Sequence, residues 1–203
     1  MPRIRAASID EHKTLTRRAL LDSAKALIAD AGTAEIPLGE VALASGVGRT
    51  TLYDYFTDRD DLIATMVEDE LPGVLARLID SVTGATPSER LADLATRTVE
   101  FVVEEPVLGL ILHRDVGRLG AGAQERIRTS HAALADEMVS VYYEGVASGE
   151  FRSIPPDLAG RFTQDVIMSA ARAVMAAPDP AERIDEITAN LRSFLIGGLQ
   201  SAD

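Results

Sequence analysis

Residues 38–62 read LGEVALASGVGRTTLYDYFTDRDDL, and this stretch decides how the rest of the chain is interpreted. Its apolar residues lie at helical spacing and predict two short helices joined by a tight turn. In the turn, Gly46 is free to adopt the positive φ that ends the first helix. In the second helix, Leu52 and Phe56 lie four residues apart and are expected to be buried together. An exposed helix that presents arginine, threonine and tyrosine after such a turn is typical of a DNA-reading helix-turn-helix.

The same stretch resembles the N-terminal signature of TetR-family transcriptional regulators. The residues that carry the resemblance are Val41-Ala42, Gly46-Val47, Thr51-Leu52-Tyr53, Tyr55-Phe56, Arg59 and Leu62. Together with the preceding helix, the match covers roughly residues 16–62, and beyond it only length and helical rhythm agree with the family. The resemblance implies a three-helix DNA-binding head on a larger helical body that contains a ligand cavity.

Three departures from the family pattern affect DNA binding. Gly48 stands where a serine often caps the recognition helix, so this cap is weaker here. Pro37 and Gly39 stand where polar, phosphate-contacting residues are frequent. Asp54 places a negative charge where the helix should approach DNA, so it either repels a phosphate or accepts a hydrogen bond from a cytosine amino group.

Several side chains of the predicted head are candidate DNA contacts. They are Arg17, Arg18, Arg49, Thr50, Thr51, Tyr53, Tyr55 and Arg59. The first two lie near the start of the first helix, within reach of a phosphate. Arg49 is expected to read a guanine edge or a phosphate, and the two threonines to meet base edges or methyl groups. By resemblance to the family, the two tyrosines and Arg59 would bind the DNA backbone.

The periodicity elsewhere predicts an all-α fold of about nine helices without any alternating strand pattern. We expect the DNA-binding head at residues 1–58 and a ligand-binding and dimerisation body at residues 59–203. Pro72 should kink the helix that begins near residue 59, and one long helix is expected from about Ala123 to Ala147.

Residues 1–14 have no apolar periodicity, so a flexible tail is the favoured interpretation. The alternative is a basic arm, carrying Arg3, Arg5 and Lys13, that reaches into the DNA minor groove. The first helix would then start near Thr16, whose side chain can cap it.

The composition excludes several classes of protein. The sequence has no cysteine, so disulfides and thiolate metal sites are excluded. Only 4% of the residues are aromatic and 46% are hydrophobic, which suits an Ala/Leu/Val-rich helical protein better than a β-sandwich. There is no signal peptide and no apolar run of about twenty residues, so we expect a cytoplasmic protein without a membrane partner.

The net charge of −12 is unfavourable for DNA binding, but it is distributed unevenly. Residues 1–60 carry eight Lys/Arg and nine Asp/Glu, a net charge of −1. Residues 61–203 carry twelve Lys/Arg and twenty-three Asp/Glu, a net charge of −11. Because charges more than about 10 Å apart are screened at moderate salt, the head can still bind phosphates, with weak non-specific affinity.

The body contains candidate contacts for a small-molecule effector. They are Met66, Phe101, His113, Met138, Tyr142 and Met168. Methionine and aromatic side chains suit pockets for varied apolar ligands, although plain core packing is the alternative role for each. His113 ends a strongly apolar helix, where it either orients a ligand or is a satisfied core histidine. Because the body is acidic, we expect a neutral or cationic, largely apolar effector.

The last two predicted helices have more apolar residues than one inward stripe needs, so we expect them to pair with a second copy of the chain. The candidate dimer contacts are Phe162, Val166, Val174, Leu191, Phe194 and Leu195.

Catalytic and metal chemistry find no support in the sequence. His113 and Asp115 could join Ser130 in a hydrolytic triad, but a nucleophile elbow, an oxyanion loop and a strand scaffold are missing. Acidic pairs such as Asp60-Asp61 are adjacent, and adjacent helical side chains point about 100° apart rather than towards one cation. We therefore expect no catalytic residue, no metal site and no cofactor.

Taken together, these patterns favour a transcriptional repressor that binds palindromic operator DNA as a homodimer and is released by an effector. One alternative is a constitutive or activating DNA-binding regulator without an effector. Another is a helical enzyme or carrier whose helix-turn-helix is only structural. A structural helix pair has no reason to expose arginine, threonine and tyrosine on one short helix, which favours DNA binding.

Overall fold

The computed structural model describes residues 2–201, and ten α-helices account for most of them. Their bounds are α1 Pro2–Ala31, α2 Leu38–Ser45, α3 Arg49–Tyr53, α4 Arg59–Asp80, α5 Pro87–Glu104, α6 Pro106–Leu110, α7 Ala121–Ser130, α8 Ala132–Ser148, α9 Pro156–Met175 and α10 Pro180–Leu199. Within residues 2–201, β-structure is limited to an isolated antiparallel bridge between Phe151 and Gln200. The all-α prediction is confirmed. No described helix combines the length and apolar character that a membrane crossing requires.

The predicted start of the first helix near Thr16 is wrong, because α1 begins at Pro2, so residues 2–14 are helical; Met1 lies outside the described residues. No Gly or Pro interrupts residues 3–31, so the helix propagates through a segment that has no apolar stripe. Thr16 caps nothing, since its hydroxyl donates to the carbonyl of His12 at 2.9 Å within the helix. Residues 10–15 are exposed, whereas Leu20 is fully buried.

α2 and α3 form the predicted helix-turn-helix. Gly46 ends α2 with a φ of 68°, in the left-handed region that glycine favours. The amide of Val47 then closes the turn on the carbonyl of Ala42 at 3.0 Å. Leu52 and Phe56 are no more than 1% exposed and join the same apolar core as α1 and α4. This core fixes the orientation of α3 on the head.

α4 connects the head to the body and is helical throughout its length, from Arg59 to Asp80. Asp58 caps its N-terminus by accepting a hydrogen bond from the amide of Asp61 at 2.8 Å. Pro72 is exposed, so the amide hydrogen bond that proline cannot make is lost on the solvent side. α4 packs mainly against α7 and α8, which anchors it in the body.

The predicted long helix from Ala123 to Ala147 is wrong, because His131 divides it into α7 and α8. Ring atom Nδ1 of His131 lies 2.9 Å from the carbonyl oxygen of Ile127. In a continuous α-helix, that carbonyl would accept the backbone amide of His131. The amide instead donates to the carbonyl of Arg128 at 3.2 Å. The side chain therefore replaces a helical hydrogen bond, and α7 ends there.

After α6, the backbone continues as a π-helical turn over Ile111–Asp115 and a 3-10 turn over Val116–Arg118. Gly109 allows α6 to pack closely on α5, since a Cβ there would lie 3.0 Å from Cα of Val102. π-helical turns are rare and occur mostly at functional sites. Apolar periodicity predicts a short helix here but does not distinguish the π-helical turn from a regular one.

The α8–α9 connection is packed onto α8 and tied to the end of α10. Phe151 lies so close to Gly145 that a Cβ on this glycine would clash with the aromatic ring. The ring also stacks on Tyr142, with centroids 6.1 Å apart and an interplanar angle of 11°. The amide of Arg152 donates to the carbonyl of Leu199 at 2.8 Å. These contacts hold α8 and α10 together at this end of the body.

Candidate nucleic-acid interface and effector site

α3 carries the predicted base-reading side chains at the surface. Arg49 and the two threonines after it are exposed, and Tyr53 is 47% exposed. Tyr55 is half-buried, with its ring 6.5 Å from that of Phe56. Gly48 precedes α3 and supplies no side-chain cap, as the sequence predicts. Apolar anchors thus hold a short helix that presents a guanidinium and hydroxyl groups, the chemistry that contacts bases and phosphates.

Arg49, Tyr53 and Arg59 also line an open groove of about 610 Å³ beside the start of α2. The other lining residues are Ile36, Pro37, Leu38, Gly39, Asp58 and Asp60. Guanidinium and phenol groups next to a helix N-terminus can hold a phosphate. The two carboxylates in the same wall reduce the positive potential of the groove.

Two of the candidate arginines donate hydrogen bonds to carboxylates of the same chain, and Arg18 lies 3.8 Å from Asp22 in a more exposed pair. Arg17 donates to both carboxylate oxygens of Asp69 in α4, at 2.5 and 3.0 Å, and these hydrogen bonds raise its pKa. Arg59 donates to Asp60 at 3.1 and 3.2 Å, whereas the side chain of Arg18 is 79% exposed. Arg17 must therefore exchange Asp69 for a phosphate before it can contact DNA.

Arg126 of α7, which the sequence did not single out, binds the first half of α4. Its guanidinium donates to Asp61 at 2.7 Å, to the hydroxyl of Thr65 at 2.9 Å, and to Glu68 at 2.5 and 2.8 Å. The hydrogen bonds from Arg126 hold the pKa of Glu68 below its usual range. Burial raises the pKa of Asp61, but hydrogen bonds from Thr57 and Arg126 outweigh burial and lower it. All three charges therefore persist at neutral pH.

His113, Phe101 and Met168 form one cluster in the body. Nδ1 of His113 lies 3.1 Å from the sulfur of Met168, and its ring centroid lies 6.4 Å from that of Phe101 in an edge-to-face arrangement. Burial, with smaller contributions from His131 and Arg172, lowers the pKa of His113 to about 4, so the imidazole is neutral at physiological pH. A neutral imidazole among aromatic and thioether groups can orient a polar atom of a largely apolar ligand.

The other predicted effector contacts have different surroundings. Met66 is fully buried in α4, and Met138 is half-buried on α8. The hydroxyl of Tyr142 accepts from the amide of Ile154 at 2.9 Å and donates towards the carbonyl of Arg152 at 3.1 Å. Tyr142 therefore fastens the α8–α9 connection, and a ligand could use its hydroxyl only by breaking these bonds.

Half of the predicted dimer contacts lie at the surface. Phe162 is 56% exposed and Phe194 is 70% exposed, while Val166 is half-buried. Val166 and Phe194 line an open groove of about 700 Å³ between α9 and α10. Val174, Leu191 and Leu195 are no more than 4% exposed and pack in the chain's own core, although Leu191 also lines this groove, so their place in an interface stays a prediction. Both faces of these helices are apolar, and periodicity alone does not separate them.

The π-helical turn that carries His113 also contacts the head. Asp115, 1% exposed, accepts from the amide of Ala34 at 2.8 Å and from the hydroxyl of Thr33 at 3.3 Å, both in the α1–α2 connection. Arg114 donates to Asp115 at 2.9 Å and to the carbonyl of the glycine before Thr33. Burial raises the pKa of Asp115, but hydrogen bonds from Arg114 and Ala34 outweigh burial and lower it. A buried charge thus joins the candidate effector site to the DNA-binding head.

Comparison with known proteins matches two parts of the chain to one family. Residues 20–66 match the family of bacterial regulatory proteins called tetR, and residues 84–172 match the tetracyclin repressor-like C-terminal domain. These matches cover most of the head and much of the body. The chain belongs to the TetR family of transcriptional regulators.

Individual TetR-family proteins agree with this chain over most of its length. The transcriptional repressor KstR2 of Mycolicibacterium smegmatis is 26% identical over 161 residues, which cover 77% of this chain and 78% of KstR2. The structure of FadR from Bacillus subtilis in complex with stearoyl-CoA has a TM-score of 0.71 and 18% identity, covering 87% of this chain and 97% of FadR. The structure of the ketosteroid transcriptional regulator KstR2 of Mycobacterium tuberculosis has a TM-score of 0.64 and 22% identity, covering 92% of this chain and 95% of that KstR2. The two structures show a shared fold.

The lowered pKa of His113 predicts how the stability of this TetR-family chain depends on pH. The folded state holds the imidazole with a pKa of about 4, against 6.5 for an ordinary histidine, so it binds fewer protons between these values. The neutral imidazole of His113 should contribute fully to the free energy of unfolding above pH 6.5. This contribution should be lost as the pH falls towards 4. By linkage, a shift of this size contributes up to about 3 kcal/mol to the free energy of unfolding.

Urea unfolding of wild type and His113→Gln between pH 4 and 8 measures this contribution. The free energy of unfolding should fall less steeply below pH 6.5 in the variant. His12→Gln is the matched control, because His12 is exposed and its removal should leave the curve unchanged. Parallel curves for wild type and His113→Gln would contradict the assignment.

Proposed function

We propose that this TetR-family regulator represses transcription by binding an operator as a homodimer, and that a largely apolar effector releases it. The observation that carries the proposal is the π-helical turn Ile111–Asp115, which places His113 in an apolar cluster and Asp115 on the head. In this proposal, residues 1–58 bind DNA, and residues 59–203 bind the effector and the second copy. KstR2, a relative over most of the chain, is named a repressor, which supports the same direction of regulation.

The proposed DNA contacts centre on α3. Arg49 binds a guanine edge or a phosphate at the start of the helix, and Thr50 and Thr51 meet base edges. Tyr53, Tyr55 and Arg59 bind the backbone. The groove that Arg49, Tyr53 and Arg59 share supports a phosphate position beside the recognition helix.

Substitution of two arginines separates base reading from backbone binding. Arg49→Ala should weaken binding to a selected operator by about 1–3 kcal/mol and relax the base preference, because a bidentate base contact is lost. Arg59→Ala should weaken binding to operator and random duplexes alike. Fluorescence anisotropy at matched salt measures both effects, with the exposed body variant Arg77→Ala on α4 as control. Wild-type affinity in both head variants would show that the recognition helix is wrongly assigned.

A homodimer is proposed because one short helix contacts too few base pairs for useful specificity. A two-fold arrangement presents two recognition helices to grooves about 34 Å apart. Phe162 and Phe194 are both more than half exposed, which is unusual for large apolar side chains unless another molecule covers them. The surface of α9 and α10 that holds them, together with Val166, is the proposed interface.

Phe194→Asp tests this interface because it places a charge in the centre of the apolar contact. Sedimentation at micromolar concentration should show a dimer for wild type and a monomer for the variant. Val139→Asp on α8 is the matched control, since Val139 is 46% exposed and lies outside the proposed interface. A wild-type monomer, or a dimer of Phe194→Asp, would contradict the proposal.

The proposed switch depends on the two-residue separation between His113 and Asp115 on one rigid turn. A ligand that displaces His113 also displaces Asp115 and breaks its hydrogen bonds to Thr33 and Ala34 in the head. Hydrogen bonds to charged groups contribute about 1.5–3 kcal/mol each. Moving a two-state equilibrium from 1:99 to 99:1 needs about 5.5 kcal/mol of differential affinity. The free energy of a few such hydrogen bonds is therefore similar to the free energy that a change in head orientation requires.

The effector is proposed to be apolar in its larger part, because the cluster around His113 consists of aromatic and thioether groups. The acidic body disfavours a strongly anionic molecule, whereas the structural neighbour FadR holds stearoyl-CoA. A thermal-shift panel of stearoyl-CoA, a neutral ketosteroid and a cationic amphiphile therefore discriminates between charge classes. Compounds that raise the melting temperature are then tested for release of the operator. If every stabilising compound leaves operator affinity unchanged, the proposed effector control is wrong.

With such a compound, Asp115→Asn should separate effector binding from DNA release. The thermal shift should persist, while the ratio of operator affinities without and with compound falls at least tenfold. Thr33→Val removes one donor and leaves the buried charge, so it provides a milder variant if Asp115→Asn is unstable. Arg77→Gln is the control, since Arg77 is exposed and lies in the last turn of α4, whereas Arg118 is 3.7 Å from Asp115 and belongs to the junction. Wild-type ratios in both junction variants would show that the junction does not transmit the signal.

A further inference from the structure

We call the N-terminal part of α1, residues 2–15, the arm. Residues 10–15 are exposed, including Leu15, which is apolar and 60% exposed. With a rise of about 1.5 Å per residue, the helix reaches about 27 Å from the buried Leu20 back to Pro2. The match to the tetR family model begins only at residue 20, so the arm lies outside it.

The arm has a positive charge on an otherwise acidic protein. Residues 2–15 contain three basic residues, Arg3, Arg5 and Lys13, and two acidic residues, Asp10 and Glu11. Their net charge is therefore +1. The first nine residues contain both arginines and no carboxylate. Residues 16–203 contain seventeen Lys/Arg and thirty Asp/Glu, a net charge of −13.

The head itself has few cations for a DNA backbone. Arg17 is held by Asp69 and Arg59 by Asp60, so two of its arginines are already balanced by carboxylates. The affinity of a protein for DNA depends strongly on the number of phosphates that its Lys and Arg neutralise. A helix whose first turns contain two further arginines and no carboxylate fits a polyanionic partner.

We propose that the arm binds the DNA backbone beside the bases read by α3, with Arg3 and Arg5 on phosphates that flank each half-site. α1 packs on α2, and Arg17 and Lys25 tie it to α4 through Asp69 and Glu70, at 2.5 and 2.6 Å. The arm is therefore held in a fixed direction relative to the recognition helix. This inference rests on the proposed operator binding and adds a second contact region to it.

The salt dependence of operator binding tests the arm. Wild type is compared with Arg3→Gln/Arg5→Gln and with a control, Arg77→Gln/Arg152→Gln, that removes the same charge from two exposed residues of α4 and the α8–α9 connection. Each lost phosphate contact reduces the slope of log K against log salt by about 0.9, so the arm variant should lose about 1.8 per protomer. The control should keep the wild-type slope. An arm variant with the wild-type slope would overturn the proposal.

Deletion of residues 2–15, followed by hydroxyl-radical footprinting, locates the contact. The deletion should lose protection of sugars at the outer edges of the operator and keep protection of the sugars beside the bases read by α3. Sedimentation of the same variant should remain that of wild type; dissociation into monomers would overturn the proposal in favour of a contact with a second copy. If wild type binds no selected duplex at all, the proposed operator binding fails, which is distinguishable from an unchanged slope in a protein that binds.

Discussion

The buried carboxylate of Asp115 is the constraint on which the position of the head depends. A charge that is 1% exposed is stable only when hydrogen-bond donors surround it. Arg114 supplies donors from the body, but Ala34 and Thr33 supply theirs from the head. Removal of one partner from a buried pair typically destabilises a protein by about 3–5 kcal/mol. The head therefore cannot rotate freely on the body while Asp115 stays buried, and its orientation follows that of the π-helical turn.

The ion pairs of α4 are more exposed and weaker than the hydrogen bonds of Asp115, although there are more of them. Arg17, Asp69, Arg126 and Glu68 all have side chains that are 37–39% exposed, and exposed pairs contribute about 0–1 kcal/mol each. Such pairs define where α1 and α7 contact α4 but do not prevent small movements. A body that changes shape can exchange them at low cost, whereas it must break strong bonds at Asp115. In the proposed switch, the exposed pairs let α4 move, and the buried junction determines when it does.

The sequence predicts the head well because the features that define it are local. Gly46 ends α2, and Leu52 and Phe56 bury α3, within a span of eleven residues. The features that were not predicted join distant parts of the chain. Arg17 and Asp69 are 52 positions apart, and Asp115 and Ala34 are 81 apart, so no spacing rule connects them.

Other errors have a local cause that periodicity does not register. The helix break at His131 depends on a side chain that displaces a backbone amide. The inward and outward faces of α9 and α10 are both apolar, so only packing shows that Leu191 is core and Phe194 is surface.

The scarcity of unpaired cations in the head has a consequence for regulation. A regulator with weak attraction to phosphates keeps little affinity for DNA once a change in head orientation removes its base contacts. A modest displacement at the junction can thus release the protein, and strong non-specific binding would have opposed that release.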